Sequence, residues 1–453
     1  MKGLYAQFTQ SMLEPVHDQT CYDILGVKVS PPAQECTALG GSLRRSWFML
    51  GEGAHLSHGA YGAASVFVQN TGDAIRAKME EDPVRFFYEL LFPALSLSLR
   101  RTAQFVSGAA RNMAFVPNVE FAISAALQSL AQIELFPNGC KILVTSLTYG
   151  AVKIAAKEAA SRKGGWIDVV EIPTCDDCTD EEILRRFRGK LRGSSIAVFE
   201  HISSPTGLVM PVEEICKLCR EHSVLSVVDG AHSLGAAEVN LERIRADVYT
   251  SNGHKWLMNQ RGCAFLAVSE QVRDVLHPVL ASWGHDKGFN AEFVWQGTMD
   301  YTPMLTMPAA ISFLTWCGRG NPEQVYRRNH RLACWAADML SYILDTKTLF
   351  PSEMVACMAC VKLPVYANPI EELRLVLSQN EPRVQVAVFF FVVDNEDDRY
   401  LRISCAIYND VWDVLTLAKK LLDVIRAPEE AHRRLRRKEA LVNLDLERSL
   451  DGL

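Results

Sequence analysis

The chain has 453 residues, of which 49% are hydrophobic and 22% charged, a composition that excludes a disordered or collagen-like protein and favours two or three globular domains. Its net charge of −6 provides no broad basic field, so neither nucleic acid nor a membrane surface is expected as a partner. No apolar run approaches the roughly 20 residues of a membrane span, and polar residues interrupt Met1–Pro15 where a signal peptide needs its apolar core. A cytoplasmic protein is expected, with import into an organelle left open.

Residues 1–43 contain Pro31-Pro32 and Gly40-Gly41 and are expected to form an irregular N-terminal extension. From about residue 110, short apolar runs alternate with amphipathic segments. The predicted strands are Met113–Val116, Ile142–Thr145, Ile167–Ile172, Ile196–Phe199, Val224–Val228, Val248–Thr250 and Cys263–Val268. The predicted helices are Val119–Leu135, Ala151–Arg162, Asp180–Arg188 and Val212–His222. This alternation predicts an α/β fold, with a large domain over residues 44–305 whose mainly parallel sheet binds ligands at the carboxyl ends of its strands.

The pattern changes after residue 305, and residues 306–426 are expected to form a smaller α+β domain. Its predicted helices are Pro308–Thr315, Glu323–Leu344 and Val411–Arg426. Its predicted strands are Ala356–Leu363 and Arg399–Ser404. The tail, residues 427–453, alternates basic and acidic residues and is expected to be a solvated helix.

The thirteen cysteines are an odd number in a long chain, which favours reduced thiols. Two CxxC pairs could in principle form a four-thiolate zinc site, and the chain has three, Cys175/Cys178, Cys216/Cys219 and Cys357/Cys360. The second pair lies in a predicted helix and the third in an apolar strand, where cysteine is mostly a small hydrophobe. No bound metal is therefore expected.

The segment Val227–Leu257 carries the strongest chemical signal. One predicted strand ends at Asp229, and the next, Val248–Thr250, ends shortly before Lys255, so a carboxylate and an amine emerge at the same end of the sheet. Apolar neighbours would desolvate the amine and lower its pKa, which makes Lys255 a candidate Schiff-base lysine. A facing Asp229 could keep a pyridinium nitrogen protonated. In the alternative interpretation Asp229 caps a helix and Lys255 lies on the surface, but this does not explain the other residues of the segment.

Further strings follow in order along the chain. They are SHGAYGA at 57–63, EDPVRFF at 81–87, FVPN at 115–118, TYGA at 148–151, HISSPTG at 201–207, WQGTMDYT at 295–302 and RISCAIYN at 402–409. Over roughly residues 44–426 the chain resembles fold-type I pyridoxal-phosphate enzymes of the class V aminotransferase family. More narrowly, it is similar to the isopenicillin N epimerase-like group, which includes hercynylcysteine sulfoxide lyases and plant-type cysteine desulfhydrases. The resemblance implies a seven-stranded, mainly parallel sheet and pyridoxal 5′-phosphate as cofactor.

The resemblance also implies which residues hold the cofactor. Lys255 would bind it covalently, and Asp229 would pair with its pyridine nitrogen. The side chains near the ring's phenolic oxygen would be His232 with Ser204 or Thr206. Those near the phosphate would be Asn252 and His254, together with the helix start after Asn118 and, across a homodimer interface, Thr298.

For the substrate, the resemblance implies that Arg402 clamps the α-carboxylate, because a planar guanidinium suits bidentate binding. Tyr149 could act as an acid or base or face the ring. Tyr61 and His58, in the HGAYG turn, could line the substrate mouth, with Arg85 as a further candidate.

Structural readings of several of these residues remain open. Thr298, Tyr61 and Arg85 could be interface or core residues. His232 could be a satisfied buried histidine, and Arg402 could belong to a structural ion pair.

Two departures from the family pattern concern the cofactor. Relatives often have Asn-Ala-Thr where this chain has Asn118-Val119-Glu120, and Glu120 would repel a phosphate unless it points away. Leu147 stands where many relatives have a ring-stacking histidine, which leaves Tyr149 or another aromatic residue to cover that face. Weaker cofactor binding is expected.

The expected reaction is a β-elimination that cleaves the C–S bond of cysteine or a cysteine S-conjugate, with Lys255 as the base for the α-proton and pyruvate and ammonia as products. Three alternatives remain: an amino-acid epimerase, a cysteine desulfurase and a non-catalytic pseudoenzyme. Desulfuration needs an activated cysteine on a mobile loop, but Cys357 and Cys360 lie on an apolar strand, and the expected loop 365–383 contains no cysteine.

Overall fold

The computed structural model describes residues 2–14, 19–30, 32, 35–36, 38–132, 138–364, 367, 370–379, 381–390 and 398–449. Its α-helices are α1 Lys2–Ser11, α2 Cys21–Leu25, α3 Gly41–Trp47, α4 His58–Tyr61, α5 Val66–Glu81, α6 Pro83–Arg85, α7 Leu91–Phe105, α8 Val119–Leu130, α9 Gly150–Ser161, α10 Asp180–Leu191, α11 Val212–Glu221, α12 Leu241–Ile244, α13 Glu270–Arg273, α14 Phe289–Val294, α15 Thr302–Leu305, α16 Met307–Cys317, α17 Pro322–Leu344, α18 Ile370–Gln379, α19 Val411–Val424 and α20 Glu429–Ser449. Its strands are β1 Ala54–His55, β2 Met113–Val116, β3 Lys141–Thr145, β4 Trp166–Val170, β5 Ile196–Glu200, β6 Leu225–Asp229, β7 Val248–Asn252, β8 Ala264–Val268, β9 Met358–Lys362, β10 Val384–Gln385, β11 Ala387–Phe390 and β12 Arg399–Ser404. Among the described helices, none combines the length and apolar character that crossing a membrane requires.

A seven-stranded sheet forms the centre of the molecule, with strand order β2-β8-β7-β6-β5-β3-β4. Strand β8 runs antiparallel to β2 and β7, whereas the remaining pairs are parallel. The residues of β2, β5, β7 and β8 are all buried, because helices cover both faces of the sheet. The predicted α/β fold with a mainly parallel seven-stranded sheet is therefore confirmed, and each predicted strand of this sheet is present with ends that differ by at most two residues.

The N-terminal extension differs from the irregular chain expected from its prolines and glycines. Residues 2–11 and 21–25 are helical. Tyr5 and Phe8 of α1 pack on Phe92 of α7 with ring centroids 5.4 and 5.9 Å apart. The apolar spacing of Tyr5, Phe8 and Met12 is helical, and this periodicity outweighs the nearby turn residues. Pro31 lies outside the described residues.

The C-terminal part contains an antiparallel sheet of order β11-β12-β9. The predicted strands correspond to β9 and β12, and β11 was not predicted because its apolar run also suits a buried helix. The segment expected as a loop over residues 365–383 contains α18, whose leucines at 373 and 377 are buried one helical turn apart. The division at residues 305/306 and 426/427 stays a prediction.

Two short pairings bring the HGAYG turn to the carboxyl end of the large sheet. Strand β1 pairs in parallel with β10, and Ser57 forms an isolated bridge with Ser404 at the end of β12. Residues from the first, middle and last thirds of the chain therefore meet at one place.

Candidate active site

Three neighbouring strands of the central sheet end in polar residues. Strand β5 ends in Glu200, β6 in Asp229 and β7 in Asn252. Glu200 is opposite Asp229 in the parallel ladder, and Asp229 is opposite Thr250. Because α/β folds bind ligands beyond the carboxyl ends of their strands, these residues mark the candidate site.

Lys255 follows β7 in a turn that returns toward β6. Its Nζ lies 2.9 Å from Nε2 of His232. Burial lowers the pKa of Lys255 to about 8, because removal from water disfavours the ammonium form; Asp229 opposes this shift and Arg402 adds to it. A large fraction of the amine is therefore neutral near pH 8, and the neutral form is the one that attacks a carbonyl.

His232 is fully buried beside this amine. The indole N–H of Trp256 donates to Nδ1 over 3.3 Å, and because an indole can only donate, the neutral ring carries its proton on Nε2. Nε2 faces Lys255 and also the Ser204 hydroxyl, at 3.1 Å. Burial lowers the pKa of His232 well below its ordinary value, and the charges of Lys255 and Arg402 add to this. His232 therefore presents a neutral N–H to the lysine.

Asp229 is buried at the end of β6, and its Oδ1 accepts a hydrogen bond from the Ala231 N–H over 2.9 Å. Burial raises the pKa of this carboxyl, whereas the Ala231 N–H and Lys255 lower it. A buried carboxylate that gains a cationic partner is strongly stabilised in its charged form. Asp229 is therefore suited to hold a protonated ring nitrogen.

The start of α8 lies at the expected phosphate end of the site. Asn252 accepts a hydrogen bond from the Val119 N–H over 3.2 Å, and Asn118 caps the helix by accepting from the Phe121 N–H over 2.9 Å. Two first-turn donors are thus used within the protein. Glu120 lies between these two donors in sequence and its side chain is exposed. The first turn of α8 therefore carries an acidic residue, as the sequence predicts.

His254 supplies a buried polar atom whose bonding is incomplete. Its Nδ1 has no hydrogen-bond partner among the described residues. Burial lowers the pKa of His254 to about 4, and the charges of Lys255 and Arg261 contribute. An anion at this place would raise that pKa and complete the hydrogen bond.

Arg402 lies on β12 opposite Cys360 of β9 and is buried. Its Nη1 donates to the carbonyl oxygen of Ser204. Burial lowers the pKa of Arg402 to about 10, so the guanidinium stays charged near neutral pH. Ser204 therefore contacts Arg402 through its carbonyl and His232 through its hydroxyl. The hydroxyl of Thr206 donates to Ser203 within its own turn, over 2.8 Å.

His58 packs inside the protein beside the lysine turn, and its expected place at the substrate mouth stays a prediction. Its side chain is buried, with Nδ1 2.9 Å from the Tyr408 hydroxyl and Nε2 donating to the Lys255 carbonyl over 2.9 Å. In the same turn, Gly62 has a φ of +68°, and a Cβ there would lie 1.8 Å from the His254 carbonyl. The turn therefore holds the backbone of the lysine loop, a role that depends on packing the sequence does not specify.

Tyr149 and Tyr61 lie at the rim of the site, with 47% and 76% of their surfaces exposed. Partial burial raises the pKa of Tyr149, and the charge of Glu120 and the proximity of Tyr61 and Asp229 add to this effect. The phenol is therefore protonated near neutral pH, where it can donate its proton or a hydrogen bond.

Arg85 and Thr298 lie on the surface of the chain. Arg85 forms an exposed pair with Glu89, with 3.4 Å between Nε and Oε2. Thr298 follows α14 in an exposed turn. Their expected roles toward substrate and cofactor remain predictions.

Glu200 was not singled out from the sequence. Its Oε2 accepts a hydrogen bond from the Thr145 hydroxyl over 2.8 Å, whereas Oε1 has no partner in the described part of the chain. Burial raises the pKa of Glu200 to about 7, and the charge of Asp229 contributes. The signal that could have found it is the one used for Asp229, an acidic residue that ends a buried, mainly apolar strand.

The two cysteines nearest Arg402 have inactive thiols. Cys357 and Cys360 are buried, and burial raises the pKa of Cys360 to about 12 and that of Cys357 well above its ordinary value. A protonated buried thiol is a poor nucleophile.

These residues fit pyridoxal 5′-phosphate. The buried amine of Lys255 suits its aldehyde, Asp229 suits its ring nitrogen, and the incompletely bonded Nδ1 of His254 could donate to its phosphate, a role that stays a prediction. The cofactor is therefore assigned from the donor set as well as from the sequence motifs.

Known proteins are similar to this chain over most of its length. The chain is 29% identical to a probable chloroplastic L-cysteine desulfhydrase from Arabidopsis thaliana, over 82% of this chain and 83% of the relative. It is 28% identical to an isopenicillin N epimerase from Amycolatopsis lactamdurans, over 77% and 90%. It is 23% identical to the hercynylcysteine sulfoxide lyase of Schizosaccharomyces pombe, over 86% and 98%.

Solved structures share the fold. A cystine C–S lyase bound to its product cysteine persulfide has a TM-score of 0.70 at 18% identity, covering 83% of this chain and 98% of that one. An apo cysteine desulfurase from Thermococcus onnurineus NA1 has a TM-score of 0.68 at 17% identity, covering 88% and 99%. The family model for class-V aminotransferases matches residues 99–417. Because this match covers more than half of the chain, the chain belongs to the class-V aminotransferase family.

Proposed function

We propose that the protein is a pyridoxal-phosphate-dependent lyase that cleaves the C–S bond of cysteine or a cysteine S-conjugate and releases pyruvate and ammonia. The observation that carries the proposal is the buried Lys255 amine, 2.9 Å from His232 and with a pKa of about 8. Support also comes from relatives named L-cysteine desulfhydrase and hercynylcysteine sulfoxide lyase.

Arg402 binds the substrate carboxylate. It is buried and charged, and the hydrogen bond from its Nη1 to the Ser204 carbonyl fixes the plane of the guanidinium. A charge-assisted pair in a water-poor site is stronger than an exposed one. The α-carbon of an amino acid held by Arg402 is thereby directed toward Lys255.

Lys255 takes the α-proton. Its low pKa keeps much of the amine neutral near pH 8, and the neutral N–H of His232 orients its lone pair. When bound, the cofactor supplies an electron sink for the resulting negative charge, and Asp229 stabilises the protonated ring nitrogen. The proton taken from carbon stays on the Lys255 amine.

The C–S bond breaks as the electron pair released at the α-carbon forms a C=C bond, and sulfur leaves with the C–S electron pair as a thiolate. The released 2-aminoacrylate reacts with one water to give pyruvate and ammonia. For cysteine the balance is cysteine plus water giving pyruvate, ammonia and hydrogen sulfide. The proton on Lys255 can return to the departing sulfur.

An epimerase is the second candidate, favoured by the position of Tyr149. Its raised pKa keeps the phenol protonated at the rim of the site, where it could return a proton to the other face of the α-carbon. Epimerisation would give the opposite enantiomer with no pyruvate.

The other two alternatives are less well supported. A desulfurase needs a nucleophilic thiol, and the thiols of Cys357 and Cys360 are buried and protonated. A non-catalytic role is suggested only by Glu120 and Leu147, and neither interrupts the contact between Lys255 and His232.

The test is pyruvate release from L-cysteine, cysteine S-conjugates and hercynylcysteine sulfoxide, with Lys255→Ala and, as the matched control, the exposed lysine variant Lys157→Ala. Wild type and Lys157→Ala are expected to release pyruvate, and Lys255→Ala is not. Protein that shows lysine-bound cofactor absorbance but forms no pyruvate from any substrate would refute the lyase. Colourless protein that gains no thermal stability from added pyridoxal phosphate would support the non-catalytic alternative.

We also propose that the protein is a homodimer. The exposed position of Thr298 and the WQGTMDYT string support a contact of this residue with the partner's phosphate site. Sedimentation of the holoprotein is expected to give twice the chain mass, and a fully active monomer would contradict the proposal.

A cytoplasmic location is likewise a proposal. It is supported by the thirteen cysteines, none of which forms a disulfide bond. Microscopy of a fluorescent fusion tests it, because a signal confined to an organelle would contradict it.

A further inference from the structure

A second polar cluster lies at the far end of α8. A cavity of about 230 Å³ is lined there by Ser129 of α8 and by His277, His285 and Glu292. From Val119 to Ser129 the helix rises about 15 Å, so this cavity is separate from the lysine site. It includes none of the CxxC pairs.

Two close contacts fix the walls of this cavity. The Ser129 hydroxyl accepts from the His277 N–H over 2.9 Å and donates to the His277 carbonyl over 3.1 Å. A Cβ on Gly284 would lie 1.8 Å from the Ala291 carbonyl, so the segment containing His285 packs directly on α14. The backbone positions of the polar residues are therefore defined.

Glu292 is a buried carboxylate that faces the cavity, with only 5% of its surface exposed. Oε2 of Glu292 lies 2.7 Å from Nδ1 of His277, whereas Oε1 of Glu292 accepts no hydrogen bond from the described residues. A buried negative charge is costly unless a cation or several donors compensate it. The contact with His277 therefore leaves Oε1 of Glu292 available to bind a cation.

Two more possible ligands lie beside Glu292. One ligand atom from each of His285, Asp286 and Glu292 can be chosen such that all three lie within 4.8 Å of one another, and Nε2 of His285 is 3.5 Å from Oδ1 of Asp286. Metal–ligand bonds of 2.0–2.1 Å in a tetrahedral site place ligand atoms about 3.3 Å apart. Since His285 and Asp286 are exposed, small rotations of their side chains can bring the ligand atoms from these separations to that distance.

We propose that His285, Asp286 and Glu292 bind one divalent cation, and that His277 orients the Glu292 carboxylate. One imidazole and two carboxylates suit Zn²⁺, or Co²⁺ as a spectroscopic substitute, with water completing the coordination. The ion would join the segment containing His285 to α14. This site is independent of the proposed lyase activity.

The test is calorimetric titration of the full-length holoprotein with ZnCl₂, for wild type, His285→Asn, Glu292→Gln and the control His222→Asn. His222 is an exposed histidine on another helix end, where its Nδ1 is 2.9 Å from the Leu218 carbonyl. One Zn²⁺ per chain is expected, with binding at least ten-fold weaker in His285→Asn and Glu292→Gln and unchanged in His222→Asn.

Co²⁺ distinguishes this site from the cysteines, because thiolate ligands add an intense sulfur-to-metal charge-transfer absorption that nitrogen and oxygen ligands lack. A spectrum without that absorption is expected. Thiolate absorption, absence of Zn²⁺ binding, or equal affinity in wild type and His285→Asn would overturn the proposal. Because His285 is exposed, this variant decides the matter even if Glu292→Gln fails to fold.

Discussion

The floor and the rim of the lysine site are built in different ways. On the floor, Asp229, His232 and Arg402 are buried, and each has a hydrogen bond within the protein. At the rim, Tyr61, Tyr149 and Glu120 are exposed. The floor therefore fixes charge and protonation before any ligand arrives, whereas the rim is free to differ between relatives with different substrates.

This contrast separates shared chemistry from specificity. A buried charge with a wrong or missing partner costs several kcal/mol, which restricts what the floor can contain. Exposed side chains cost little to exchange. Changes on the floor should therefore have large effects on turnover or stability, and changes at the rim should act on affinity.

The largest effect is expected for Lys255→Ala, which removes the base and the covalent anchor. Loss of proton transfer alone should reduce pyruvate formation about 10²–10⁴-fold. Steady-state pyruvate release measures this, with Lys157→Ala as the control. If the variant kept activity within a factor of two of wild type, Lys255 would not be the catalytic base.

The second expected effect concerns Glu200. Because burial raises its pKa to about 7 from an ordinary value of 4.5, the folded protein binds this proton more tightly than the unfolded chain. Stability from this group is complete below about pH 4.5 and is lost as the pH rises to about 7, by about 3 kcal/mol in all. Glu200→Gln should remove this part of the pH dependence and be more stable than wild type at pH 8.

Urea unfolding between pH 5 and 8 measures the Glu200 effect. Glu181→Gln, at an exposed acidic residue in the first turn of α10, is the control and should follow wild type. A Glu200→Gln variant whose stability falls with pH as steeply as wild type would contradict the expected burial cost.

Arg402→Met should raise KM for the amino acid about 10- to 100-fold, the loss expected for a hydrogen bond to a charged group of about 1.5–3 kcal/mol. Arg101→Met, at an exposed arginine of α7, is the control. An unchanged KM in the Arg402 variant would assign Arg402 to a structural contact with Ser204 instead.

The smallest effect is expected at the rim. Glu120→Thr removes a negative charge from the helix start and should tighten binding of pyridoxal phosphate to the apoprotein up to about ten-fold at low salt. Glu181→Thr changes the first turn of another helix and should have no effect. Unchanged cofactor binding in Glu120→Thr would show that Glu120 points away from the phosphate.

The sheet could be predicted because its strands are short apolar runs, and the floor because β6 and β7 end in polar residues. Asp229 and Lys255 are adjacent to two such ends. Glu200 carries the same signal, but its neighbour relation to Asp229 depends on strand order, which local pattern does not specify.

His58 and α18 could not be placed from local pattern. The position of His58 follows from the pairing of β1 with β10, two segments about 330 residues apart in sequence. The segment of α18 is short, and although its two buried leucines are one helical turn apart, its pattern is also compatible with a loop. Local pattern therefore decides neither the position of His58 nor the structure of this segment.

The most direct test of the central claim identifies the residue of the apoprotein that binds pyridoxal phosphate and measures how the rate of binding depends on pH. Borohydride reduction followed by peptide mapping should give one label per chain, on Lys255, with a capture rate that rises with pH through about 8 as the amine loses its proton. A label on another lysine, or a rate that first rises near pH 10.5, the ordinary lysine pKa, would contradict the account of a buried, neutral Lys255.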